Sequence, residues 1–383
     1  MNIKFYSILS LIFLVIVSTS CKTASKLYEK GNYDEAVELA AKKLQKNPDD
    51  RELKTTLQNA YRFAVNDHES RIRNLSGNNN ELNWEWIHAE YTALQKLYAA
   101  IRNSPEIFEN VNPTDYSTYI TTYAEKAADT RYERGMRWMN RNDRQSFKNA
   151  YNEFNAALRY NPGDFSIKTK LDEAYQLAVL NIIVLPVDNF RYRHSSNNNY
   201  ELRNFENDLL RKLQYHGGDR FVKFYNEWDA RSRDIRPDHF IDFRFVTMNI
   251  GRVRDEQNSR EVSKDVLIKE TVYRPDSVVK EYKKVFAKII ITKRTMNSTG
   301  NLFMNIRDQN SRRLWSDDFR GTHNWITEFA TFTGDERALS ENDKQLINRP
   351  RNNPPDEDEI MRQIINDIDG NLFNRIRDFY NRY

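Results

Sequence analysis

Apolar residues follow three patterns along this chain, and each pattern calls for a different element. Residues 5–17 form a mostly apolar run, preceded by Lys4 and followed by Ser18, Thr19 and Ser20. A membrane-spanning helix needs about 20 such residues, so the run fits the apolar stretch of a cleavable secretory signal covering residues 1–20. From 22 to 179, apolar positions recur three and four residues apart, which predicts helices. From Leu180 the period changes. "LNIIVLPVDNF" is an unbroken apolar run, as expected for a strand buried on both faces. Glu201 to Tyr215 has Phe205, Leu209, Leu210 and Leu213 on one helical side, and "RFVKFYN" and "HFIDFRFVTMNIGRV" read as strands. Residues 261–320 alternate with period two and predict antiparallel strands. Ile360, Ile364, Ile365, Ile368, Leu372, Phe373, Ile376 and Phe379 mark a helix from Asp356 to Tyr380 packed on a sheet. The predicted class is α+β multidomain: an all-α domain at 22–179, then an α+β domain at 180–383 with a mainly antiparallel sheet.

Cys21 is the sole cysteine, directly after the small residues that end the signal. An exported lone cysteine has no disulfide partner, and its thiolate is the nucleophile that accepts a lipid group. Ser18-Thr19-Ser20-Cys21 resembles a bacterial lipobox, with Ser18 where Leu is usual. The resemblance implies lipidation at Cys21. No later segment approaches 18 uninterrupted apolar residues, so the lipid is the expected sole membrane attachment. Lys22 follows the cysteine in place of the Asp of inner-membrane retention, and no acidic export run follows. The expected location is the outer membrane, lipid-anchored and facing the periplasm.

The first stretch after the anchor, "TASKLYEKGNYDEAVELAAKKLQKNPDD", places Leu27, Ala36, Leu39, Ala40 and Leu44 at helical spacing. Gly31 is a turn and Pro48 a stop. Gly31, Tyr33, Ala36 and Pro48 stand at the intervals of a tetratricopeptide repeat, which this segment resembles, with Lys43 where that family prefers Ala. Ala150, Phe154, Ala157 and Pro162 repeat the offsets of Ala36, Ala40, Lys43 and Pro48. Between the copies, Asn83 to Ile101 carries an aromatic face including Trp84, Tyr91 and Tyr98, with Trp86 on the opposite side. Asp115 to Asn140 is a further helix, "SGNNN" and "NPTD" are loops, and residues 165–179 close the array. Stacked repeats bury their apolar faces on one another and present a curved surface. That implies docking of other envelope proteins, with Tyr33, Trp84, Trp86 and Tyr91 as candidate contacts; a rigid spacer is the other reading.

In the second domain Val184-Leu185-Pro186 with Asn189-Phe190, the helix ending near His216, Arg220-Phe221-Val222, and Asp238-His239-Phe240-Ile241 resemble the α+β domain of CsgG-type secretion lipoproteins and TolB amino-terminal domains, over about 180–255. Residues 261–320 offer no long, small-residue strand pairs of the kind a membrane barrel uses. "GTHNWITEFATFTGDERALS" (321–340) reads as a loop between strand and helix. His323, Trp325, Asp335 and Arg337 within it are candidate partner contacts.

Charge and chemistry narrow the function. The formal charge is +4, and loss of residues 1–20 removes Lys4 and no acid. Both signs interleave throughout, the mark of solvated faces and not of a phosphate-tracking stripe, so no nucleic-acid partner is expected. Six histidines are scattered without metal-ligand spacing, and Asp367 and Asp369 of "DIDGN" point apart on a helix, so no metal or cofactor is expected. No Gly-rich phosphate loop, GxSxG or HExxH occurs. Two functions remain: a non-catalytic envelope lipoprotein serving as a scaffold or adaptor, with room for self-association, or an envelope glycan-acting enzyme with the repeats as spacer. Nothing singles out the carboxylate pair that glycan hydrolysis needs, so the adaptor is preferred.

Overall fold

The computed structural model describes residues 23–103, 105–188, 198–274 and 277–383. Cys21 and the signal lie outside the described residues. The chain divides into two compact units after Ala178.

The first unit is helical. Its elements are α1 (Ala24–Glu29), α2 (Tyr33–Leu44), α3 (Arg51–Ser76), α4 (Asn83–Arg102), α5 (Pro105–Val111), α6 (Ser117–Met139), α7 (Arg144–Tyr160) and α8 (Phe165–Ala178). Thr23 caps α1, and Gly31 turns the chain into α2 at φ +80°, a left-handed conformation that costs glycine no side-chain clash. Small residues at the helix seams (Ala36, Ala40, Ala60 and Ala64) are buried with Leu44 and Leu57, so α2 and α3 approach closely. Farther along, α6 and α7 meet at Gly135: a Cβ there would lie 2.7–2.8 Å from atoms of the buried Phe154 ring.

The second unit is a six-stranded sheet with helices on it. Its elements are β1 (Leu180–Asp188), α9 (Asn198–His216), β2 (Val222–Asn226), α10 (Glu227–Ser232), β3 (His239–Asn249), β4 (Arg254–Arg274), β5 (Ser277–Asp308), β6 (Arg313–Gly334), a 3-10 turn (Glu336–Ala338), α11 (Glu341–Ile347) and α12 (Glu357–Tyr380). Strand order is β2-β1-β3-β5-β4, with β6 on the other edge of β5. The sheet is mixed. β1 runs parallel to both β2 and β3, and β5 is antiparallel to β3, β4 and β6. The chain passes through α9 between β1 and β2, and such a helical crossover returns the next strand in the same direction.

The core lies between one sheet face and helices α9 and α12. Leu180, Ile182, Phe224, Ile241, Leu302, Met304 and Ile306 meet Leu209 and Leu213 of α9 and Ile364, Ile368, Leu372 and Ile376 of α12. Each fully buried Leu or Ile contributes about 1.5–3 kcal/mol, which makes this contact the main support of the unit. Helix α12 begins where Asp356 accepts a hydrogen bond from the Glu359 amide at 2.8 Å. It sits close to the sheet because Gly300 and Gly321, paired across β5 and β6, leave a trough beneath Ile364 and Ile368. Asp367 locks it there, accepting from the Thr322 amide at 2.9 Å.

Residues 321–334 belong to β6 and form no loop. They pair with β5 from Gly300 to Ala287.

Candidate protein-docking surface

The first unit assembles an aromatic ladder from two helices. Trp84 and Tyr91, seven residues apart, share one side of α4. Tyr119, Tyr123 and Lys126 share one side of α6, at spacings of four and three, and Tyr116 precedes them at the helix N-cap. Tyr91 stacks on Tyr119 (centroids 4.9 Å apart, planes at 12°) and on Tyr123 (5.2 Å, 22°). Trp84 lies 5.8 Å from Tyr123, and Lys126 Nζ stands 4.8 Å over Trp84 and 4.9 Å over Tyr123. Beneath them Ile72, Ile87, Leu94 and Tyr116 are buried, while Tyr119 stays 48% exposed. The ladder is therefore anchored below and open above, with a cation held over its rings.

Polar contacts fix the turn that presents α6. Gln95 Oε1 accepts from the Tyr116 amide at 2.7 Å and Gln95 Nε2 donates to Asp115 at 3.0 Å, while Tyr61 Oη accepts from the Thr114 amide at 3.2 Å. Burial pushes the Tyr116 hydroxyl up to about 12, and burial with neighbouring tyrosines raises Tyr91, so both stay neutral hydrogen-bonding groups at neutral pH. Below the ladder, Arg131 joins α4 to α7: it pairs with Glu85 and donates to Glu153 at 2.8 Å, and Arg134 donates to Glu153 at 3.0 Å. Burial opposes ionisation of Glu153, but the hydrogen bonds from Arg134 and Arg131 outweigh it and hold its pKa low.

The sequence candidates fall in several places. Trp84 and Tyr91 come together on Tyr123. Tyr33 joins a different cluster, stacked on Phe63 at 5.3 Å with Tyr28 beside them and Arg62 over Phe63. Trp86 is 43% exposed on another side of α4. In the second unit, His323 and Trp325 lie on β6 opposite Ser298 and Met296, on the face that carries α12, and Trp325 packs against the core. Asp335 and Arg337 follow the strand, about 40 Å from His323 at ~3.3 Å per residue. The four residues therefore form no single surface. Asp335 accepts from Arg337 at 3.0 Å and 2.6 Å and caps the 3-10 turn, and the Arg337 hydrogen bond draws its pKa down to about 2.

Sequence reasoning missed an ion cluster around the buried His68. Its Nδ1 meets Glu90 at 2.5 Å and its Nε2 meets Asp34 at 3.0 Å, with Arg71 3.3 Å from Glu90. Burial alone would lower the His68 pKa, but the hydrogen bonds to Asp34 and Glu90 raise it, so the cluster favours the imidazolium. In the second unit Glu206 is raised by burial, yet its carboxylate is occupied by the Val187 amide at 2.7 Å.

No protein-family model matches the chain, and no curated protein matches it. Several solved structures overlap it in part, two of them as follows. One is described as a neuraminyllactose-binding hemagglutinin homolog from Helicobacter pylori: 12% identical, covering 52% of this chain and 84% of that one, TM-score 0.26. The other is a minor lipoprotein from Acinetobacter baumannii: 9% identical, covering 52% of this chain and 93% of that one, TM-score 0.18. At these TM-scores the overlaps do not establish a common topology. No helix among the described residues is long and apolar enough to cross a membrane.

Proposed function

We propose that this protein is a non-catalytic cell-envelope lipoprotein, held to the periplasmic face of the outer membrane by lipid on Cys21, whose helical unit docks another envelope protein. The observation that carries the reading is the tyrosine ladder. Aromatic side chains stacked over a buried base, with a lysine at the rim, supply large contact area at low entropic cost. The seam of small residues between α2 and α3 and the Gly135–Phe154 contact between α6 and α7 support a repeat-like helical scaffold behind it. The α+β unit, with β1, α9 and β2 in the order of CsgG- and TolB-type domains, serves as a second interaction module.

The test is cross-linking and detergent extraction of envelopes carrying the full protein or its Tyr119→Ala/Tyr123→Ala/Lys126→Glu variant. The reading expects a discrete partner protein in the first and its loss in the second, with unchanged helical circular dichroism. A variant that retains the partner at wild-type yield refutes the ladder as the docking surface.

A further inference from the structure

Strand β5 outruns its neighbour. β6 ends at Gly334 opposite Ala287, and Gly334, at φ +107°, turns the chain away from the sheet. β5 continues to Ser277, paired there, among the described residues, only with β4. The outer ribbon is thus two strands wide, although a two-stranded hairpin in water is marginal without a third strand or a covering layer. Val285 is buried against Val266 and the residues after β6, but the other apolar side chains of the ribbon are bare: Phe286 is 61% exposed and Tyr282 58%, with Leu267, Val272, Val278 and Val279 also exposed.

The backbone shows which edge is vacant. The Phe286 carbonyl accepts from the Asp335 amide at 2.9 Å, so the polar groups of residue 286 face the β6 side. By the two-residue repeat of an antiparallel strand, those of Lys284, Tyr282, Lys280 and Val278 face the same way, into the row that β6 has left. That edge is unbroken. The outer edge of β4, by contrast, is interrupted by register shifts at Leu267/Lys269 and Val272/Arg274 and carries interleaved charges of both signs, two devices that blunt an edge against pairing.

We propose that this vacancy is a strand-addition site for an extended segment of another protein in which acidic and apolar residues alternate. It deepens the adaptor reading and rests on it. The incoming strand continues the line of β6, takes hydrogen bonds from residues 278–284 and covers Val279 on one face and Tyr282 and Phe286 on the other. Its charge is set by β5: residues 278–286 carry Lys280, Lys283 and Lys284 against Glu281, all exposed. An incoming strand neighbours these lysines directly, whereas the acids across from them on β4, Glu270 opposite Lys280 and Asp265 opposite Lys284, lie one strand farther away. Lys283, opposite Val266, is within electrostatic reach of Asp335. The positive surplus of residues 278–286 disfavours pairing with a second copy of the same strand and attracts carboxylates.

The probe is a fluorescein-labelled, end-capped peptide of five Val-Glu repeats, titrated against the full chain without its lipid, with a Val-Lys repeat peptide as control. Val-Glu binding is expected, together with slowed amide exchange at Lys280, Tyr282 and Lys284. Lys280→Glu/Lys283→Glu/Lys284→Glu, changed only at exposed positions, is expected to bind roughly tenfold more weakly. Equal binding of the Val-Lys peptide overturns the proposal, as does protection confined to the β4 outer edge. It is also overturned if concentration-dependent self-association or vesicles of anionic phospholipid protect these amides while the peptide does not. The tyrosine-ladder variant leaves every one of these readouts unchanged, so failure here is separable from failure of the docking surface.

Discussion

The trough under α12 gives a prediction of opposite signs at two glycines. In Gly321→Ala the new Cβ meets the Ile364 carbonyl oxygen well inside van der Waals contact, 2.9 Å from Ile368 Cγ1 and 3.0 Å from Ile364 Cγ2. The obstacle is helix backbone, so relief requires α12 to lift from the sheet. Overpacking costs about 1–3 kcal/mol, and a backbone obstacle puts this site in the upper half, at about 2.5 kcal/mol. Removing a glycine from a strand interior returns about 0.5–1 kcal/mol, leaving a net loss of roughly 1.5–2 kcal/mol. For a unit of this size that lowers Tm by about 3–8 °C. Gly370→Ala lies on the same helix with nothing within 4 Å of its Cβ, and should stabilise by up to about 1 kcal/mol. Scanning calorimetry of the full chain should show the same transition moving down in the first variant and up in the second. A Gly321→Ala protein melting at or above the wild-type temperature would refute the account of how α12 seats on β5 and β6.

Other consequences are as direct. His68 has a folded-state pKa above its unfolded one, so its contribution is full below about pH 6.5 and fades as pH rises through the folded value. The stability gap between wild type and His68→Gln, from urea titrations, should therefore be widest in mild acid and shrink toward alkaline pH; a gap that widens with pH contradicts the cluster. Arg131→Met strands Glu85 and Glu153, and since breaking a buried pair costs roughly 3–5 kcal/mol, a loss near the lower end is expected because Arg134 stays on Glu153. A loss under ~1 kcal/mol in chemical denaturation would mean the pair is effectively solvated. Cys21→Ala should release the exported protein into the soluble periplasmic fraction, checked by immunoblot after a salt wash, and retention on membranes would contradict lipid as the main hold.

Elements whose periodicity is set by their own burial could be read from the sequence. The isoleucine stripe of α12 and the unbroken run of β1 announce helix and strand directly, since every turn or pair of residues meets the same core. β6 could not be read beyond 320 in this way: Thr322, His323, Asn324, Thr327 and Thr331 look like loop residues. They become strand because β5 lies alongside, a pairing with residues some 20 to 45 positions earlier. The ladder was half visible, since Trp84 and Tyr91 mark a face of α4, but Tyr119 and Tyr123 reach them from another helix. His68 looked solitary because its partners Asp34 and Glu90 lie on two other helices.

The 32 residues of β5 bear on how the second unit carries load. At ~3.3 Å per residue the strand is about 105 Å long, and it is the one element shared by β3, β4 and β6. A pull along the outer ribbon acts in shear on many ladder hydrogen bonds at once, since these lie across the strand axis. β4 is interrupted at its register shifts and can give way locally, whereas β5 transmits the tension to Gly300 and the trough holding α12. A tether attached beyond Val278 would accordingly work against the core of the unit, and the hairpin would not peel away first.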